Sequence, residues 1–153
     1  MTTTTHFTST RFGEVAYTEA DIVTIEGGLL GFPTSTRYLI LAHKEGSPFR
    51  WLQSLDEPSL AFLVVDPVHF VDGYAPLLGE EAAQALGLSE DTPRLVYTIA
   101  TIPNGRPEEM TINLAGPIVI NGVTRVARQL VIEDPNCEIK HRVFENKAKR
   151  LAA

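Results

Sequence analysis

With 153 residues, 44% of them hydrophobic and 21% charged, the chain suits one domain with a sizeable core, and its composition excludes wholesale disorder. The net charge of −6 is unevenly spread: residues 138–153 hold five Lys or Arg against two acidic residues, which leaves eight basic against seventeen acidic, or −9, in residues 1–137. An acidic body repels phosphate backbones and attracts basic proteins, so direct nucleic-acid binding is disfavoured.

Residues 1–10 are mostly Thr and Ser without an apolar period, and read as a loose lead-in; order is expected from Arg11. Phe12–Tyr17 and Ile22–Ile25 read as short strands. Glu26–Pro33 follows, with three glycines in five residues (Gly27, Gly28, Gly31). Its spacing fits neither phosphate-binding glycine pattern, and no helix follows it, so a structural loop is the better reading. Arg37–Ala42 is the next strand. Phe49–Leu55 and Leu60–Asp66 then form a hairpin about Asp56-Glu57-Pro58-Ser59, where Pro presets a turn torsion and Asp and Ser can cap turn amides. Ala61–Val65 is apolar on both faces, which suits a strand covered on both sides and places it at the centre of the core.

One short helix is expected over Glu80–Leu86, with acidic residues in its first turn and Gly87 past its end. Arg94–Ile102 is a long strand rich in β-branched and aromatic residues. Met110–Leu114 alternates like a half-buried strand, and Pro117–Ile120 continues the sheet. Asn121-Gly122 predicts a type I′ hairpin turn into Val123–Glu133. The count is eight or nine strands, one helix and no βαβ alternation, which predicts an all-β fold: a small antiparallel β-barrel-like single domain over residues 11–136, with a basic C-terminal tail over 137–153.

Catalytic and metal chemistry find little support. His6, His43, His69 and His141 lie on separate segments, no C-x-x-C or H-x-x-x-H pairing occurs, and the lone Cys137 sits at the edge of the tail. No G-x-S-x-G is present, and Glu80-Glu81 and Glu108-Glu109 are sequence neighbours that point apart or into solvent. The polar residues inside strands are more informative. Gln53 and Asn113 either pair with backbone at a bend or bulge, or line a face offered to a partner. The two readings separate experimentally: Ala at a contact position weakens binding and leaves the melting temperature within a few degrees, whereas Ala at a structural position unfolds the chain.

The motifs Ile22–Pro33 (I-V-T-I-E-G-G-L-L-G-F-P), Ser47-Pro48-Phe49, Leu52-Gln53-Ser54 with Pro58 and Ala61-Phe62, and Thr111-x-Asn113-Leu114 through Asn121, in this order and spacing, resemble the FliW family over residues 11–134. The lead and the tail after Pro135 look like additions. The resemblance implies a non-catalytic regulator of flagellar assembly. Such a regulator binds and antagonises CsrA, a dimeric RNA-binding repressor of flagellin translation, and in some lineages binds flagellin, which competes for it. The expected partners are therefore CsrA and flagellin, with no nucleic acid, no membrane, no metal and no cofactor; a monomeric free state and a cytoplasmic location go with them.

Expected contact residues are Gln53, Asp56, Glu57, Asp66 and Asn113, together with Leu29 and Phe32 of the glycine-rich loop, which suits a peptide edge or amphipathic helix. The plainer role for Leu29 and Phe32 is to plug one end of the barrel. A different class, a small β-barrel enzyme using Asp66 or Glu57, would need a deep pocket around a carboxylate of raised pKa.

Overall fold

A computed structural model describes residues 3–74 and 79–144. Its strands are β1 (Thr5–Ser9), β2 (Gly13–Tyr17), β3 (Val23–Ile25), β4 (Arg37–Ala42), β5 (Phe49–Ser54), β6 (Ala61–Val65), β7 (Arg94–Thr101), β8 (Thr111–Ile112), β9 (Ile118–Asn121), β10 (Val126–Gln129) and β11 (His141–Arg142), with one short helix, α1 (Glu80–Ala85). Seven strands close a barrel in the order β7-β6-β5-β4-β3-β10-β9 and back to β7, so the sheet has no free edge along that ring. The expected barrel is present. Its strands are not all antiparallel, because β3 and β10 pair in parallel through Val126↔Thr24 and Ala127↔Ile25.

Alternation along the strands builds two cores. Val23, Ile25, Tyr38, Leu52, Val64, Ile118, Ile120 and Ala127 fill the barrel, with Leu29 closing one end. Residues of the other parity on β6, Leu63 and Val65, face outward under Ala100, Met110, Ile112 and Leu114, flanked by Trp51, Phe49 and Phe70. β6 therefore needs apolar residues on both faces, as its sequence shows. Burial of each such side chain contributes about 1.5–3 kcal/mol.

β7 serves both layers. Arg94–Tyr97 pair with β9 and close the barrel, Val64↔Ile99 and Val65↔Thr98 join it to β6, and Ala100–Thr101 turn away to pair with β8. Helix α1 is a small cover, anchored at its end by buried Leu86, whose carbonyl accepts from Asn121 Nδ2 at 2.8 Å.

Three expectations need correction. First, order begins before Arg11: β1 pairs with β2 in full register from Thr5↔Tyr17 to Ser9↔Gly13. The polar face of this hairpin hides its period, since Phe7 and Val15 meet on one side while the exposed His6 Nδ1 and Glu14 Oε1 lie 3.0 Å apart on the other.

Second, the tail does not begin as a separate segment at residue 137. Glu138 O accepts from Leu114 N at 2.9 Å, β11 pairs with β8, and Val143 packs on the second core. Residues 145–153 of the expected tail lie outside the described residues.

Third, Asn121-Gly122 is no type I′ turn. Asn121 Oδ1 accepts from Val123 N (2.8 Å) and Thr124 N (3.1 Å), Arg125 N closes on Asn121 O (2.9 Å), and the positive φ, 65°, falls on Arg125. Gly122 is required for proximity instead: a Cβ there would sit 2.9 Å from Pro93 O, to which its own N–H donates at 2.7 Å.

Candidate functional site

The seven side chains expected to contact partners divide between the two ends of the barrel. Leu29, Phe32, Gln53, Asp56, Glu57 and Asn113 gather at the end where the 26–35 loop meets the β5–β6 turn. Asp66 stands at the other end. At the first end the loop folds on itself through an isolated bridge between Leu29 and Phe32, with Phe32 N donating to Leu29 O at 2.8 Å. Leu29 is 2% exposed and belongs to the barrel core, so it is the plug. Phe32 rests edge-on against Phe62, 5.1 Å between centroids, and stays partly exposed. Leu30 points outward, 62% exposed, and its N–H donates to Gln129 Oε1 at 2.7 Å.

Gln53 has no exposed surface, and its amide is fully engaged. Oε1 accepts from Ser9 Oγ at 2.8 Å, and Nε2 donates to Ser54 O (2.8 Å), Pro58 O (3.2 Å) and Leu60 O (3.2 Å). It ties the β1–β2 hairpin and the β5–β6 turn to the barrel wall. On the opposite face of β5, Ser54 Oγ accepts from Asp56 N and Glu57 N and lies 2.6 Å from Ser35 Oγ, which locks the two loops together. Asn113 is half-buried and caps its own turn, accepting from Ala115 N at 3.1 Å. These polar positions satisfy backbone groups that the turns leave open.

Asp56 is also a clasp. One oxygen accepts from Thr36 N (2.9 Å) and Arg37 N (3.0 Å), the other from the Arg37 guanidinium at 3.3 and 3.2 Å. Partial burial opposes its ionisation, but the Arg37 and Thr36 amides and the Arg37 charge together hold its pKa below the ordinary 3.8. A carboxylate depressed in the folded state stabilises above its unfolded pKa, and that contribution disappears as pH falls through the folded value. Asp56→Asn is therefore expected to flatten the loss of stability below pH about 4 and to lower stability at pH 7, read by urea unfolding at a series of pH values. A pH profile identical to that of the parent would remove the clasp. Glu57, by contrast, is exposed and makes no ion pair among the described residues.

At the far end, Asp66 caps the turn Pro67–His69, its Oδ1 accepting from Val68 N at 3.0 Å, and lines an open cleft with Arg50 and Tyr97. The sequence offers one signal for this cleft: Arg50 interrupts the apolar run of β5. Among the described residues no group of three or more His, Cys, Asp or Glu is placed to hold a metal, and no helix is long and apolar enough to cross a membrane.

A seven-strand closed barrel with an outer second core, whose in-strand polar side chains secure loops, defines the class: a small closed β-barrel protein with a second apolar layer on its outer face. A solved structure titled as the flagellar assembly factor FliW superposes with a TM-score of 0.83 at 28% identity, covering 92% of this chain and 98% of that one. Proteins named flagellar assembly factor FliW from Magnetococcus marinus (42% identical; 82% of this chain, 77% of that protein) and Geobacter sulfurreducens (37%; 95% and 90%) are among its relatives. The family profile described as FliW protein matches residues 6–143. The chain belongs to the FliW family. The match extends past the 11–134 span on which the motifs are read, and takes in most of β1 and all of β11.

Proposed function

We propose that this protein is a non-catalytic regulator of flagellar assembly that binds and antagonises CsrA and exchanges it for flagellin. Family membership across nearly the whole described chain carries this reading. The docking end we assign is the tip of the 26–35 loop, Leu30 and Phe32, with Glu57 beside it. Gln53, Asp56 and Asn113 hold that end in shape and are left out of the contact surface, as is Leu29. Exposed apolar tips on a rigid loop suit insertion into a partner groove. The −9 body favours encounter with a basic RNA-binding protein and, once docked, lowers phosphate affinity nearby over roughly 10 Å at 0.1 M salt.

Leu30→Asp is expected to weaken CsrA binding by about tenfold or more while the melting temperature stays within about 2 °C, because the side chain is exposed and only its backbone is engaged. Calorimetric titration into CsrA from the same organism, with and without flagellin-leader RNA, tests the whole reading. Saturable binding that lowers RNA affinity supports it, and flagellin should then displace CsrA. No heat and no complex at high micromolar concentration would sink the CsrA assignment.

A further inference from the structure

The barrel end opposite the 26–35 loop is open, and a cleft of about 650 Å³ enters it. Arg50, Asp66 and Tyr97 line its inner wall. Arg50 is in register with Ala42 and Val64 and shares the inward parity of Leu52; Tyr97 packs on the barrel core. Arg50 on β5 and Asp66 just past the end of β6 thus carry charge at the inward parity, beside Tyr97 of β7 and next to interior positions filled by Leu52, Val64 and Ile99. Charged groups at interior barrel positions cost desolvation energy that apolar residues would not, so their placement calls for a ligand or a partner.

The Arg50 guanidinium is pinned from behind: Nη1 donates to Ser47 O and Phe49 O, both at 2.8 Å, which leaves Nε and Nη2 for the cleft. Among the described residues neither Arg50 nor Lys44, which also lines the cleft, comes within ion-pair distance of a carboxylate, although Asp66 and Glu45 are in the same lining. Arg125 approaches from the β9–β10 turn. Its Nη2 donates to Asp21 O at 3.2 Å, and its buried Nε has no partner among the described residues. Burial pushes the Tyr97 phenol up, with Arg50 drawing it down, Asp66 raising it and Arg125 drawing it down; the net rise keeps the hydroxyl protonated and able to donate at neutral pH.

We propose that this open end is a carboxylate-binding pocket in which Arg50 grips the two oxygens and Tyr97 and Lys44 add donors from the sides. A guanidinium fixed on one edge presents its other edge to a planar two-oxygen acceptor at little entropic cost. Two cations and two carboxylates in the lining leave the cleft near neutral, which admits a single carboxylate and disfavours a phosphate dianion. Neither the circuit proposed above nor the Leu30 end is needed for this site.

The test titrates the full chain with propionate, with an N-acetylated dialanine acid, with its C-terminal amide and with inorganic phosphate, followed by chemical-shift perturbation and thermal shift. Saturable propionate binding that maps to Arg50 and Tyr97 assigns a small-molecule carboxylate. Tighter binding of the peptide acid than of propionate, with the amide inert, assigns a chain terminus. In either case Arg50→Met is expected to weaken binding by about tenfold or more, Lys44→Met by about threefold, and Asp66→Asn to strengthen it. Lys44 is exposed, so its variant reports even where Arg50→Met unfolds. The proposal is overturned if no carboxylate perturbs these residues, if phosphate binds more tightly than both acids, or if the folded variants bind as the parent does.

Discussion

Gly28→Ala is expected to lower stability by about 3 kcal/mol or more, while the same change one residue earlier costs about 1 kcal/mol. Both glycines have positive φ, 76° at Gly27 and 71° at Gly28, so each substitution incurs the left-handed penalty. They differ in their surroundings. A Cβ on Gly27 meets nothing within 4 Å, whereas one on Gly28 overlaps the Phe32 carbonyl oxygen and lies 2.9 Å from Pro33 Cα. Those neighbours are backbone, and backbone cannot swing aside as a side-chain end can. Relief requires opening the Leu29–Phe32 bridge, which draws Leu29 out of the barrel core and unseats the loop that presents Leu30. At about 2–4 °C per kcal/mol for a chain of this size, the melting temperature falls by about 10 °C in one variant and a few degrees in the other. Thermal or urea unfolding of the pair decides it: equal losses would mean that strain alone matters, and that the close approach does not hold the loop.

The barrel was legible where a local period reports directly on burial. The two-faced apolar run of β6, the alternation of Met110, Ile112 and Leu114, and the proline turn between β5 and β6 each recur in the fold at the expected residues. What escaped depends on partners far away in the chain. β1 looks like a lead because only Phe7 and Ser9 face inward, and Ser9 has its reason to be buried 44 residues away at Gln53. Asn121-Gly122 reads as a two-residue turn because its sequence suits one, yet Asn121 is recruited by the Leu86 carbonyl 35 residues earlier and Gly122 by Pro93, which leaves the left-handed residue to Arg125. The same holds for the expected contacts. A polar residue in an apolar strand marks either a surface or a buried junction, and only tertiary placement tells which. Glu57 and Phe32 reach the surface, whereas Gln53 and Leu29 do not.

Gln53→Ala is accordingly expected to act on the fold and not on the partner. Removal of the amide leaves Ser9 Oγ without its acceptor and takes a donor from the Ser54, Pro58 and Leu60 carbonyls, and the missing side chain opens a void under the β1–β2 hairpin. An unsatisfied buried polar group costs about 1–3 kcal/mol, and the void adds to it, for a total of about 2–4 kcal/mol. Ser9→Ala takes the donor from Gln53 Oε1 and the acceptor from Arg11 N and Phe12 N, and should cost about 1–3 kcal/mol. The double variant is then expected to be less destabilised than the sum of the two, since the hydroxyl orphaned by the first change is removed by the second. Urea unfolding of the four proteins gives that coupling. CsrA titration of Gln53→Ala, at a temperature where it remains folded, should return the affinity of the parent, because no atom of Gln53 reaches the surface. A variant that melts like the parent but binds CsrA more weakly would return Gln53 to the contact surface and require the β1–β2 hairpin to lift away from β5 when the partner docks.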